Sequence, residues 1–450
     1  MKFMKEKINN ICSKNKAVFS EKEILLFFLL FVAFYIIFDI RIIKEPFIWS
    51  EDTIFLNEAL TDGIRSLFYR HNAYLELISR VSGILAITAG RIFNDYQIVT
   101  FIMKTIAIFL ACYYISYFWI SDFEWVMKDR RCRFAVSLLM LVWICNYLNM
   151  MYNVTSIHWF GEIYIFLIGL NMLHGNYPKK FDLVLMALTM LNSPEACIIA
   201  APCVILLLIS LKNKAMTARH IGYACLTSAC ALIQLFCLAT GEKAVGTAVS
   251  DLTIGWHLFF SVTEWFGFMA ELPAYLFGCQ FVSAIPHILR IIIGVLVWIR
   301  LWKCYKECRI PKNAFFYIVS FIGFHYLLVA YKYPVRISQS PVTWELSPSI
   351  CMLIILLAFI KEKESIKTGL ITIISALVIV SQISGIGKIH NPNDSYHVNG
   401  AGDYISYDYT ALGMDRLRNV FDRVDFSSDE YEYVNLYRFW NAQVPVQKTE

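Results

Sequence analysis

The chain has 450 residues, of which 58% are apolar and 17% are charged, and its mean hydropathy is +0.54. Soluble domains are about half apolar and a quarter charged, so this composition excludes an ordinary soluble domain and favours an integral membrane protein. The 40 basic and 35 acidic residues give a formal net charge of +5. The basic residues form short clusters between apolar segments, which indicates membrane topology and argues against nucleic-acid binding.

The N-terminal segment carries six lysines within its first 22 residues and leads into an apolar run. No small-residue cleavage site follows, which predicts a retained signal anchor with the N-terminus in the cytoplasm. A bilayer requires about 20 apolar residues per spanning helix. Runs that meet or approach this length occur at 24–43, 98–121, 134–150, 157–174, 221–240, 284–302, 314–331, 347–360 and 367–386.

The segment 181–211 consists of two short apolar runs joined by the tetrapeptide 192–195 (Asn-Ser-Pro-Glu). Lysines flank the segment at 179–180 and at 212–214. Because Lys and Arg concentrate on the cytoplasmic side, both ends of the segment are predicted to lie inside. The chain must therefore go out and return, which places Glu195 near the outer surface.

The segment 74–92 is apolar but carries Glu76, Arg80 and Arg91. If it crossed the bilayer, the basic loop at 128–133 and the basic loops after it would lie outside, against the positive-inside rule. We therefore predict that it lies flat on the outer surface as an amphipathic helix. This choice predicts about 11 spans, cytoplasmic basic loops and an extracytoplasmic C-terminus.

Two regions are predicted. Residues 1–386 form an all-α polytopic transmembrane domain, and residues 387–450, which are more polar, form a small folded extracytoplasmic appendage. The larger outer loops are expected at 44–97, 241–283 and 332–346. The loop 241–283 is amphipathic, so it is expected to lie on the outer surface, where it could cover a lipid-filled cleft. The 13 cysteines lie mostly in apolar runs, so no disulfide framework is predicted.

An acidic pair, Glu51 and Asp52, follows the end of the first predicted span. A carboxylate in this place can accept a proton from an attacking hydroxyl group, provided that it is held within hydrogen-bond reach. The alternative is a helix start, in which Ser50 or Asp52 is the N-cap and the helix dipole favours Glu51. The sequence leaves both interpretations open, and it does not decide which of the two acids would be the base.

Two basic residues, Lys332 and Arg336, lie in a predicted outer loop, where positive residues are least expected. Cations suit a phosphate group, and Arg can bind one through two parallel hydrogen bonds. Trp344 follows in the same loop and is a candidate for stacking on a sugar ring. The alternatives are contacts with lipid headgroups for the cations and a place in the aromatic belt for the tryptophan.

Three further polar residues are candidates for substrate contact. Glu195 would be costly close to lipid, so it is expected to face a water-filled cleft or a cation. His158 and Glu162 lie one turn apart at the start of the predicted span 157–174, and their shared face suits an acceptor sugar or a metal ion. A divalent metal ion is compatible with this spacing but is not predicted by a ligand motif. The alternatives are a salt bridge for Glu195 and a structural helix start for the other two.

The layout resembles the GT-C class of polytopic glycosyltransferases, which use polyprenyl-phosphate sugars. In that class an acidic motif lies in the first extracytoplasmic loop, two surface helices precede the second span, and a soluble part often closes the C-terminus. The corresponding motif here is Glu51-Asp52, and the match in topology covers most of the chain. Within the class, the chain looks most like the bacterial serotype-converting O-antigen glucosyltransferases. That resemblance implies undecaprenyl-phosphate glucose as donor, a lipid-linked O-antigen of lipopolysaccharide as acceptor, and a place in the bacterial inner membrane.

Together these observations predict an integral-membrane hexosyltransferase that contacts the lipid bilayer, a polyprenyl-phosphate sugar donor and a glycan acceptor. Glu51 or Asp52 would deprotonate an acceptor hydroxyl group, which displaces the polyprenyl phosphate with inversion at the anomeric carbon, while Arg336 meets the phosphate charge. Two alternatives stay open. An O-antigen polymerase would bring a larger basic outer loop, and a polysaccharide flippase or transporter would bring repeated halves.

Overall fold

A computed structural model describes residues 48, 51–144, 153–211, 217–241, 254–277, 285–332, 343–360, 369, 371–377, 380, 396–397, 404–405, 412–437 and 440–447. The structure is mostly helical (79%) with few strands, which agrees with the predicted all-α class. Each predicted apolar run that falls within the described residues contains a helix. The predicted first span at 24–43 lies outside them.

The described elements are numbered here in chain order. In the first half of the chain the helices are α1 (Asp52–Asp62), α2 (Leu77–Phe93), α3 (Tyr96–Ser116), α4 (Arg130–Ile144), α5 (Ile157–His174), α6 (Lys180–Met190) and α7 (Pro194–Leu211). In the second half they are α8 (Ala218–Thr240), α9 (Ile254–Glu271), α10 (His287–Lys306), α11 (Lys312–Lys332), α12 (Thr343–Ala358) and α13 (Leu412–Phe421). Antiparallel pairs of strands join β1 (Arg70–His71) to β2 (Tyr74–Leu75), β3 (Tyr396–His397) to β4 (Tyr404–Ile405), and β5 (Tyr431–Tyr437) to β6 (Trp440–Pro445).

Helix α5 lies at the centre of the helical bundle. Every residue from Ile157 to Met172 except His158 is buried. The helix packs against α3, α6, α7, α11 and α12. A helix that is apolar on all sides is expected to be enclosed in this way. Its bounds agree with the apolar run predicted at 157–174.

The predicted break in the segment 181–211 is observed. Three residues separate α6 from α7, and Pro194 begins α7, where its missing backbone N–H leaves no helical hydrogen bond unmade. The side chain of Asn192 then reaches across to α2. Its Oδ1 accepts hydrogen bonds from the backbone N–H groups of Ile78 (2.8 Å) and Ser79 (3.2 Å). The tip of the α6–α7 hairpin therefore caps the first turn of α2, whose N–H groups have no partner within the helix.

Helix α2 packs closely against α1. It begins at Leu77, a little later than the predicted segment 74–92, because the residues before it form the hairpin β1–β2. A Cβ atom added at Gly83 would lie 2.8 Å from the carbonyl oxygen of Phe55 in α1, so this approach of the two backbones requires glycine. The flat orientation of α2 on a membrane surface stays a prediction.

Two described helices are long and apolar enough to cross a bilayer by length and composition. They are α3 with its 3₁₀ continuation (Tyr96–Trp119) and α8. Two shorter apolar helices, Pro194–Ile209 and Ser347–Ala358, lie within α7 and α12. The other predicted spans, and the total of about 11, stay predictions.

Helix α8 has the reverse of the polarity expected for a helix of a soluble protein. Its buried face carries His220, Thr227 and Gln234, whereas Leu232 and Phe236 are exposed. Helix α10 likewise exposes large apolar side chains, namely Ile288, Leu289, Ile292, Leu296, Ile299 and Trp302. Exposed apolar surface of this extent is typical of a protein that contacts another apolar phase.

The described part of the loop 241–283 forms α9 and a 3₁₀ helix at Leu272–Phe277. Helix α9 packs against α10 and α11. The ring N–H of Trp265 donates a hydrogen bond to the carbonyl of Gly323 in α11 (2.8 Å). Trp265 therefore contributes to the packing between helices. A cover over a lipid-filled cleft stays a prediction for this loop.

The C-terminal region packs on the first part of the chain. The backbone N–H of Gln443 in β6 donates to Oδ1 of Asn57 in α1 (2.7 Å), and that of Phe426 donates to Oδ1 of Asn94 (3.0 Å). Tyr96 stacks on Phe426 with ring centroids 6.3 Å apart. The described part of the C-terminal region thus lies against the segment 51–97.

Candidate functional site

Asp52 is held by the short segment that precedes α5. Its Oδ2 accepts a hydrogen bond from the backbone N–H of Val154 (2.9 Å). Its Oδ1 accepts from the backbone N–H of Thr155 (2.9 Å) and from the Thr155 hydroxyl (2.5 Å). The side chain is 1% exposed. Because both carboxylate oxygens face donors from another segment, Asp52 ties the start of α1 to the start of α5.

The acidic pair does open a helix, as the helix-start alternative expected, but the N-cap is neither Ser50 nor Asp52. Glu51 is the N-cap residue of α1, and its side chain makes no capping hydrogen bond. Asp52 lies within the first turn and is bonded to the loop at 154–155 instead. Burial raises the pKa of Asp52 to about 6, although the hydrogen bonds from Thr155 and Val154 act in the opposite direction.

Glu51 is the accessible member of the pair. Its side chain is 35% exposed, and its Oε1 lies 3.8 Å from Nε2 of His71, which ends strand β1. His71 also contacts the ring of Phe55 edge-on, with centroids 5.8 Å apart. Glu51 can therefore meet a group that approaches from outside the protein, whereas both carboxylate oxygens of Asp52 are already occupied by hydrogen bonds from the segment before α5.

Three segments that the sequence places on the outer side converge at this point. The segment 51–80 contacts the segment 153–158 through Asp52, and it contacts the segment 192–195 through Asn192. The Ser79 hydroxyl adds a bond to the carbonyl of Val154 (3.4 Å). The acidic pair therefore lies at a junction of the segments 51–80, 153–158 and 192–195.

The junction carries more acidic groups than the pair alone. The hydroxyl of Tyr74 bonds to the side chain of Glu76. Burial raises the pKa of Glu76 well above its usual range, and the negative charge of Glu51 raises it further. Burial also raises the pKa of Tyr74, and the charges of Glu76, Glu195 and Glu51 add to that effect. These acids therefore lie close enough to influence one another.

Arg80 is the buried cation of the junction. Its side chain is fully buried and its Nη1 pairs with Glu58 of α1. The guanidinium carbon lies 5.4 Å from the ring centre of Phe55 and 5.9 Å from that of Tyr69. Its charge partly offsets the rise in the pKa of Glu76.

Glu195, a predicted site residue, lies in the first turn of α7 at the edge of the junction. Its Oε2 accepts a hydrogen bond from the hydroxyl of Ser193 (2.5 Å), and its backbone N–H donates to the same hydroxyl (3.2 Å). It is partly buried. The structure thus brings Glu195 into the neighbourhood of Glu51 and Tyr74.

The side chains of His158 and Glu162 have different partners and do not form a shared binding position. Nδ1 of His158 bonds to the carbonyl of Thr155 (2.6 Å). Glu162 faces α11, where its Oε2 lies 2.8 Å from Nδ1 of His325, and both side chains are almost completely buried. The ring of Trp159 contacts His325, with centroids 5.9 Å apart. Glu162 and His325 therefore join α5 to α11 in the interior of the bundle.

The side chains of three predicted site residues lie outside the described part of the structure. Lys332 ends α11 and Trp344 lies in the first turn of α12, but the structure describes only their backbones. Arg336 lies outside the described residues. Their roles stay predictions.

Sequence reasoning missed four members of these two clusters. It treated Glu76 and Arg80 only as charges on a surface helix, and it did not single out Tyr74 or His325. One signal was present for the first two, because an acid and a base four residues apart share a helix face. For His325 the signal was an ionisable residue within an apolar run.

Among the described side chains, no group of three His, Cys, Asp or Glu residues could hold a metal ion. The chain matches no known protein family, no curated protein and no solved structure in the comparisons made. Function must therefore be argued from the chemistry of the site.

Proposed function

We propose that the chain is an integral-membrane glycosyltransferase. It moves a hexose, glucose by the resemblance, from a polyprenyl-phosphate donor to a lipid-linked O-antigen or a similar polysaccharide on the extracytoplasmic face. The observation that carries this proposal is the junction itself, where the accessible Glu51 lies beside the buried Asp52 and against two further outer segments.

Glu51 is the general base in this proposal. A base must come within hydrogen-bond reach of the proton it removes, and Glu51 is the member of the pair with exposed surface. It takes the proton of an acceptor hydroxyl group, and the oxygen forms a bond to the anomeric carbon of the donor sugar. The bond from that carbon to the phosphate oxygen breaks, and the polyprenyl phosphate leaves with the electron pair. Arg336 keeps its predicted role against the leaving phosphate.

Asp52 is a positioning residue in this proposal. Its three hydrogen bonds to Val154 and Thr155 fix the start of α1 against the start of α5. Glu51 is the adjacent residue, so its carboxylate is oriented by the same contacts. Small displacements of a reacting group lower a rate strongly, which gives Asp52 an effect on transfer without contact with the substrate.

The apolar exposed faces of α8 and α10 support the membrane part of the proposal. Reporter domains fused after Glu450 and inserted within 74–92 test it, because both sites are expected to be extracytoplasmic. A cytoplasmic reporter at Glu450 would contradict the proposed topology.

The reaction is tested by mass analysis of lipopolysaccharide from cells with and without the gene. The proposal expects a gain of one hexose on the polysaccharide. A changed distribution of chain lengths without added hexose would instead favour the polymerase.

A further inference from the structure

The guanidinium of Arg80 has two donors that the described residues do not satisfy. Its Nη1 pairs with Glu58, but Nε and Nη2 are buried and have no hydrogen-bond partner in the described part of the chain. A buried donor without a partner loses its hydration and gains nothing in return. Nε and Nη2 form one edge of the planar guanidinium, the arrangement that suits a pair of neighbouring oxygen atoms.

Glu76 has a buried oxygen atom without a hydrogen-bond partner, as Arg80 has two such nitrogen atoms, among the described residues. Glu76 is the N-cap residue of α2, one turn before Arg80, and the charge of Arg80 acts on its carboxyl group. Tyr74 bonds to the Glu76 side chain, yet Glu76 Oε2 is buried and has no hydrogen-bond partner among the described residues. This oxygen can accept a hydrogen bond when the carboxyl group is ionised and donate one when it is protonated.

The charge around these atoms limits the ligand that can use them. Glu51, Asp52 and Glu195 surround the same region, whereas Arg80 is the buried cation of the junction. A phosphate or a uronic acid would bring like charge against these carboxylates at an unfavourable cost. A hydroxyl group is neutral, and it can accept from Arg80 while it bonds to Glu76.

We propose that Arg80 and Glu76 form a binding subsite for the hydroxyl groups of a neutral hexose, the acceptor sugar whose proton Glu51 removes. The inference rests on the proposed function, since Glu51 defines which sugar is meant. The Tyr74 hydroxyl is already bonded to the Glu76 side chain, so Glu76 Oε2 is the atom left for a sugar hydroxyl. The acceptor is thus a neutral sugar residue rather than an acidic one.

The first test measures binding and does not require transfer. Purified full-length protein is titrated with methyl glycosides of glucose, galactose and rhamnose and with methyl glucuronide, and binding is followed by saturation-transfer NMR. At least one neutral glycoside is expected to bind, and the glucuronide at least tenfold more weakly. Equal binding of the glucuronide would overturn the inference.

The second test uses the isosteric variant Glu76→Gln and the charge-preserving variant Arg80→Lys. Both are expected to weaken binding of the neutral glycoside by about tenfold to a hundredfold. Arg91→Lys is the matched control on the same helix, because Arg91 bonds to the carbonyl of Leu60 and is not part of the subsite. Unchanged binding in both variants would contradict the assignment.

Monodeoxy analogues separate recognition from a structural role. In the wild-type protein, the analogue that lacks the contacted hydroxyl is expected to lose about tenfold in affinity, and Glu76→Gln is expected to remove that difference. If Glu76→Gln instead lowers affinity for every analogue by one factor, the residue is structural and the inference fails. If the protein transfers hexose but Glu76→Gln does not remove the affinity difference, the proposed function is supported and the subsite is wrong. If Glu76→Gln removes the difference but no hexose is transferred, the subsite is supported and the proposed function is wrong.

Discussion

The two ends of helix α5 differ in the kind of polar group that surrounds them. At the N-terminal end, Asp52 accepts three hydrogen bonds from the segment before α5. At the C-terminal end, His174 stacks on Trp125 with ring centroids 3.9 Å apart, and the Asn176 side chain donates to the carbonyl of Asp122 (2.8 Å). An accessible carboxylate lies at the first end, and a stacked pair of aromatic rings lies at the second.

The C-terminal end also contains a cavity of about 280 Å³. Trp125, His174 and Lys312 line part of it, and none of the lining residues that the structure describes is a carboxylate. The hydroxyl of Tyr177 is bonded to that of Thr217 near this end (2.8 Å). A cavity alone therefore does not show at which end of α5 the proposed reaction occurs. The proposed base Glu51 and the unpartnered buried atoms of Arg80 and Glu76 lie together at the N-terminal end.

The largest expected effect comes from removing the base. Glu51→Gln keeps the size of the side chain but removes its capacity to take a proton, so kcat for hexose transfer is expected to fall by about 10²–10⁴-fold. The measurement is transfer from a polyprenyl-phosphate hexose by the purified protein. Asp62→Asn is the matched control, because Asp62 is an exposed acid at the other end of α1. An equal fall in kcat for Glu51→Gln and Asp62→Asn would contradict the role of Glu51 as the base.

A smaller loss is expected for the positioning residue. Asp52→Asn replaces one accepting oxygen by an N–H₂ group, which faces an N–H donor of Val154 or Thr155 and cannot bond to it. The start of α1 is then held less firmly, so kcat is expected to fall by about tenfold to a hundredfold. Thr155→Val removes one donor to the same carboxylate and should reproduce part of this loss. If Asp52→Asn instead abolishes transfer while Glu51→Gln retains it, the two roles are reversed.

The sequence predicted the features that have local signals. The bounds of α5 follow from an uninterrupted apolar run, and the break at 192–195 follows from Pro194 with lysines on both flanks. The bond from Val154 to Asp52 joins residues far apart in the chain, and no periodicity encodes such a contact. The pairing of Glu162 with His325 was missed for the same reason.

The individual member of the acidic pair also could not be chosen from the sequence. Glu51 and Asp52 are adjacent and chemically alike, and only burial by the segment 153–158 distinguishes them. That burial depends on how α1 and α5 pack. Composition can therefore locate the acidic motif, but the assignment of base and positioning residue requires the tertiary structure.

Protonation of Asp52 should affect stability in a defined pH window. Its pKa is about 6 in the folded chain against a usual value of 3.8, so the folded form binds the extra proton between these values. The stabilising contribution is complete below about pH 4 and is lost as the pH rises through about 6. The difference in Tm between the wild type and Asp52→Asn, measured in detergent, should therefore decrease from pH 4 to pH 6 and stay level above it. A difference that increases over this window would contradict the assigned burial.

The smallest effect is expected at the C-terminal end of α5. Lys312→Gln changes a residue that lines the cavity, and kcat/KM for hexose transfer is expected to stay within about twofold of the wild type, since surface substitutions away from a site cost little. The same transfer assay measures it. A loss comparable to that of Glu51→Gln would move the reactive site to the cavity end.

The most direct measurement compares the lipopolysaccharide mass in cells that express the wild type, Glu51→Gln or Lys312→Gln, with the amount of protein in the membrane fraction matched. The account predicts one added hexose with the wild type and with Lys312→Gln, and none with Glu51→Gln. A full hexose addition by Glu51→Gln would contradict the claim that the reaction occurs at the acidic end of α5 with Glu51 as its base.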